Sequence, residues 1–129
     1  MAKAQGIIEH KDWDEKPYIE QGSHKVTKAD IRCVFTGDLE AEAKTAYLMS
    51  YSGESYAHYA GYLVISGALG GKAGSFVVYE TGEWDKGVAR SSFTIVRDSG
   101  SGGLTGISGS GSYAAQHDKS VHYLLEYSL

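Results

Sequence analysis

The sequence predicts an all-β domain, a closed antiparallel barrel of about eight strands built from residues 1–129 as a single domain. Three observations predict it. Ten tyrosines and 17 glycines stand against one proline, Pro17, a mix that suits pleated surfaces joined by glycine turns, with little to interrupt a hydrogen-bonded ladder. Turn signals recur along the chain, and no segment carries a convincing helical period. The C-terminal run Val121–Leu129 is strongly apolar, and closing a barrel with it removes the exposed sheet edges that invite aggregation.

Taken in order, Gly6–His10 reads as a short first strand, followed by Lys11–Tyr18, polar enough for a surface loop with aromatic anchors that runs on to His24-Lys25. From Val26 the chain is extended. Ile31, Cys33 and Phe35 alternate with Arg32, Val34 and Thr36, the period of a half-buried strand, and Gly37-Asp38 supplies the turn. Leu39–Tyr51 contains good helix formers, but parity decides for a strand. Leu39, Ala41, Ala43, Thr45, Tyr47, Met49 and Tyr51 share one face, and the charged residues Glu40, Glu42 and Lys44 share the other. After Gly53, Tyr56–Ile65 gives a fourth strand, Ser75–Glu80 a fifth and Val88–Arg97 a sixth, with Trp84–Gly87 as a turn. The glycine-dense stretch Asp98–Ser112 contains Leu104 and Ile107, which a flexible tether has no use for. It is expected to frame a seventh strand around Leu104–Tyr113, ahead of the eighth at Val121–Leu129.

Several function classes are excluded or left without support. A formal charge of -4, from 12 basic and 16 acidic residues mixed along the chain, offers no footprint for phosphate backbones or anionic lipid, so neither nucleic acid nor membrane is expected as a partner. No run approaches the ~20 apolar residues of a membrane-spanning helix, and the N-terminal residues lack the apolar core of a secretory signal. Cys33 is the single cysteine and has no intramolecular disulfide partner; a cytoplasmic location is expected. Gly71-Lys72 lacks Walker spacing. Gly109–Ala114 fits a degenerate dinucleotide pattern without room for a βαβ unit. His10, His24, His58, His117 and His122 show no metal-ligand spacing, so neither metal nor cofactor is expected.

The combination of Trp13–Tyr18, Phe35–Glu40, Tyr47–Tyr51, Gly74–Val77 and Ser99–Gly109 resembles the bacterial domain-of-unknown-function family 3224 over nearly the whole chain. The resemblance implies an allene oxide cyclase-like, calycin-like barrel and implies no established activity. The chain departs from the family's pattern at Leu63, Lys72 and Tyr79-Glu80, where many members carry glutamate, arginine and a Gln-His pair, so no catalytic role is carried across.

The tyrosines carry what functional expectation there is. Each combines apolar area with a hydroxyl that needs a partner when buried, which suits either a packed barrel or a ligand cavity in a barrel mouth. Tyr47, Met49, Tyr51, His58, Tyr79, Glu80 and Tyr123 are the candidate cavity or rim residues; the inward face of the fourth and fifth strands is left open. The expected function is binding of a small apolar or aromatic molecule. The alternatives are a cyclase- or isomerase-type enzyme acting on a bound hydrophobic substrate, by analogy of fold, and a structural module. A homo-oligomer is expected from outward apolar residues such as Val34, Leu48 and Leu124.

Overall fold

The computed structural model describes residues 1–22, 24–116 and 120–129. Nine strands form one antiparallel sheet: β1 (Ala2–Gln21), β2 (His24–Gly37), β3 (Leu39–Ser52), β4 (Tyr56–Leu69), β5 (Lys72–Asp85), β6 (Val88–Ile95), β7 (Ser101–Gly102), β8 (Ser108–Gln116) and β9 (Val121–Ser128). Eight of them pair in a ring. From β1 the order runs through β2, β3, β4, β5, β6, β8 and β9 and returns to β1, while two-residue β7 adds to β5.

Side-chain alternation sets the inside of the ring. Ile31, Cys33 and Phe35 of β2 and Leu39, Ala41, Ala43, Tyr47 and Met49 of β3 are buried, in the parity expected. On β4 the inward set is Ala57, Tyr59, Leu63, Ile65 and Leu69, and on β5 it includes Phe76, Val78 and Glu80. Leu104 and Ile107 are also buried, so the glycine-dense stretch is packed against the core and is not a tether.

Three expectations about boundaries are corrected. Lys11–Tyr18 is not a loop: β1 continues to Gln21, paired with β2 and irregular between Lys11 and Asp14 and between Pro17 and Ile19. Only residues 2–8 of β1 pair with β9, so the rest is a sheet edge, where polar side chains and a proline are tolerated. The sixth strand ends at Ile95, short of Arg97, and Ser108 begins the strand expected around Leu104. Leu104 instead sits in a turn whose amide donates to the Ser101 carbonyl.

The two halves of the interior differ. Towards the Gly37 turn, Phe35, Leu39, Leu63, Phe76, Phe93 and Leu125 interlock and leave only about 10 Å³ of space. Towards the Gly53 and Gly87 turns the ring holds a cavity of about 360 Å³. No helix among the described residues is long and apolar enough to cross a membrane.

Candidate functional site

The cavity is lined by His10 and Trp13 of β1, Tyr47, Met49 and Tyr51 of β3, Tyr59 of β4, Trp84 of β5, Ala89 of β6, and Tyr113 and Ala115 of β8. Two adjacent rows of the sheet place its polar floor. In one, Tyr47 stands opposite Gly61, and Gly61 opposite Glu80. In the next, Tyr59 stands opposite Gly82, and Gly82 opposite Ser91. The glycines leave room for the neighbouring rings to lie across them: a Cβ on Gly61 would come 2.8 Å from Tyr47 Cδ1, and one on Gly82 would come 2.5 Å from Tyr59 Cζ. Each tyrosine therefore reaches over one strand to a partner on the strand beyond.

Glu80 lies directly behind the floor and is only 1% exposed. The Tyr47 hydroxyl donates to its Oε1 at 2.7 Å and the Tyr113 hydroxyl to its Oε2 at 2.6 Å. Tyr59 and Ser91 share a hydrogen bond beside them. Burial raises the Glu80 carboxyl above its ordinary value, against the hydrogen bonds from Tyr113, Tyr47 and Ser91 that favour its charge. Burial, and then the nearness of Glu80, push both phenols well above the usual tyrosine range. The trio therefore has two useful proton states. Ionised, Glu80 accepts from both phenols and leaves the cavity facing oxygen lone pairs. Protonated, it donates to one phenol and frees that phenol's own hydrogen.

A second carboxylate stands at the rim. Glu15 accepts from Trp13 Nε1 at 3.0 Å, from the Thr27 hydroxyl at 2.6 Å and from the Tyr51 hydroxyl at 2.5 Å. Burial alone would raise Glu15, but these hydrogen bonds and the charge of Lys25 together leave it below its ordinary value. Tyr51 is pushed up to about 12 by burial and by Glu15. His10, tilted against Tyr113 with ring centroids 5.9 Å apart, is lowered by burial and so favours its neutral form. Among the described residues no cluster of three His, Cys, Asp or Glu side chains could hold a metal ion; His117 lies outside the described residues.

With this geometry in view, comparison with known proteins is informative about kinship. The model of a family described as "Protein of unknown function (DUF3224)" matches residues 4–127. The chain belongs to the DUF3224 family. A crystal structure of a DUF3224 protein of unknown function from Shewanella oneidensis MR-1 is 24% identical, with a TM-score of 0.83, and the match covers 100% of this chain and 97% of that one. That likeness concerns the fold alone. No curated protein matches the chain.

Within this DUF3224 member, Tyr47, Met49 and Tyr51 line the cavity and Glu80 lies directly behind its floor. Tyr123 is buried elsewhere: its hydroxyl accepts from the Leu39 amide at 3.0 Å and donates to the Thr36 carbonyl at 3.1 Å, and its ring meets Phe35 edge-on. It braces the filled half of the ring. His58 and Tyr79 face outward, because their neighbours Tyr59 and Glu80 take the inward positions of β4 and β5. Tyr79 is 41% exposed and rests against Tyr62. Sequence reasoning did not single out His10, Trp13, Glu15, Tyr59, Trp84 or Tyr113 for the cavity. Strict alternation back from Ile65 would have found Tyr59; no comparable signal points to Tyr113.

Proposed function

We propose that this DUF3224 chain binds a small apolar or aromatic molecule inside its ring of strands, which we read as a closed, calycin-like barrel. One observation carries the reading. Protein interiors are close-packed, with few voids larger than a water, and half of this ring obeys that rule. The other half keeps a cavity of about 360 Å³ walled by Trp13, Tyr47, Tyr51, Tyr59, Trp84 and Tyr113. Pockets for small organic ligands begin at about 300 Å³, mostly apolar with a few placed polar groups. An aromatic wall over the phenol–carboxyl floor has that character.

The chain's two tryptophans, Trp13 and Trp84, both line the cavity, so occupancy is readable without a label. Native mass spectrometry of protein purified from its own host should give a complex heavier than the chain, reverting to the bare mass on denaturation. The neutral probe N-phenyl-1-naphthylamine should quench the tryptophans. A bare native mass together with unquenched emission would remove the reading.

A cyclase- or isomerase-type activity is the second reading, favoured by one feature. A carboxyl buried behind two phenols can hold a proton next to a bound substrate or stabilise charge developing on it. Under that reading Glu80→Gln keeps ligand affinity and loses turnover.

A further inference from the structure

The polar groups of the cavity constrain the charge of what it takes. Four donors on its walls, the hydroxyls of Tyr47, Tyr51 and Tyr113 and the indole of Trp13, are turned onto carboxylates. A phenol that donates to a carboxylate gains electron density on its oxygen and ring. What these groups leave for an occupant is therefore ring faces and lone pairs, all of negative potential. Two carboxylates stand behind the rings, and among the described residues neither Glu15 nor Glu80 is in an ion pair. Among the described residues no lysine or arginine lines the cavity, and the imidazole of His10 favours its neutral form. The rim already illustrates the preference: Lys25 Nζ lies 4.8 Å from the centroid of the Tyr51 ring.

We propose that the ligand is a small organic cation, an ammonium compound whose charged head rests on the aromatic walls with Glu80 and Glu15 behind them. The inference rests on the binding reading above and names its ligand class. An aromatic box attracts an ammonium through the ring quadrupoles, and the cation supplies a countercharge to the buried Glu80, which makes no ion pair among the described residues, and adds to that of Lys25 at Glu15. An anionic or purely acceptor ligand would meet the same oxygens unfavourably.

The test uses three probes of similar shape, titrated by calorimetry and tryptophan emission: benzyltrimethylammonium, its neutral carbon isostere neopentylbenzene, and phenylacetate. The cation should bind about tenfold tighter than the isostere, as a cation–π site requires, and phenylacetate weakest of the three. Glu80→Gln and Glu15→Gln should each narrow the ratio of cation to neopentylbenzene affinity. Thermal melts check that the variants fold; if Glu80→Gln does not, Glu15→Gln at the rim carries the comparison. Neopentylbenzene or phenylacetate binding as tightly as the cation would overturn the charge preference and leave the binding reading standing. Silence from all three probes would overturn the charge preference, and the binding reading falls with it only if the native mass is bare and the tryptophans stay unquenched.

Discussion

Tyr113 and Glu80 meet across an intervening strand: the hydroxyl of the β8 residue donates to the carboxylate of the β5 residue at 2.6 Å, passing over β6. Tyr47 makes the mirror-image reach from β3 over β4, at 2.7 Å. One carboxyl thus ties together five neighbouring strands. Hydrogen bonds to a charged, buried acceptor are worth about 1.5–3 kcal/mol each, so Tyr113→Phe should lower unfolding free energy by that order. Because both phenols share one acceptor, Tyr47→Phe and Tyr113→Phe should not add. Urea denaturation of the wild type, the two single variants and the double variant measures the coupling, and simple additivity would mean that Glu80 does not link them.

The two carboxylates of the cavity should impose opposite pH dependences. Burial raises Glu80 above 4.5, so the folded chain holds that proton more tightly than the unfolded one. Its contribution is complete below 4.5 and is lost as pH rises through the folded value. Glu15, lowered from 4.5, contributes above that value, and its contribution is lost as pH falls through the folded one. Urea midpoints measured from about pH 3 to about pH 8 should show Glu80→Gln gaining on the wild type as pH rises. The deficit of Glu15→Gln should shrink as pH falls. Parallel curves for the wild type and Glu80→Gln would show that the carboxyl ionises as freely in the fold as outside it.

How much of this was legible beforehand follows from the physics of alternation. On β2 and β3 the pattern is unbroken, so Ile31, Cys33 and Phe35, and the alternate residues from Leu39 to Tyr51, could be assigned to the interior from sequence. Glu80 could be named but not oriented, since Val77, Val78 and Tyr79 give both faces of β5 apolar character. Trp13 and Glu15 were hidden by polarity. Their stretch is a strand because its backbone pairs with β2, a long-range fact that side-chain composition does not carry. Asp12, at φ 56°, marks the irregularity there, and a local break of this kind shifts the parity on which inside-or-outside inference depends.

Cys33 should be chemically silent in the folded protein. It is fully enclosed on the inner face of β2, and burial first, then the charge of Glu80, push its thiol up to about 12. Because the thiolate is the reactive form, iodoacetamide at neutral pH should leave the native mass unchanged and add one carbamidomethyl group once urea unfolds the chain. Labelling of native and unfolded protein at the same rate would mean that the interior admits both water and reagent at this position.

The most diagnostic substitution is Gly82→Ala, because its expected sign runs against the usual one. In a strand interior, replacing glycine by alanine ordinarily stabilises by about 0.5–1 kcal/mol through lost chain entropy. Here the added methyl would sit 2.5 Å from Tyr59 Cζ and 2.6 Å from the Arg90 carbonyl oxygen. The ring must swing off Gly82, breaking its hydrogen bond with Ser91 and narrowing the cavity that Tyr59 lines. A destabilisation of about 1–3 kcal/mol is expected, as for other overpacked positions, with weaker quenching of Trp84 by a neutral cavity probe. Tyr59→Ala removes part of the obstacle, so the double variant should lose less stability than the two single losses combined. Full additivity, or a Gly82→Ala protein more stable than the wild type, would show that Tyr59 does not depend on the bare backbone of β5 for its place over the cavity.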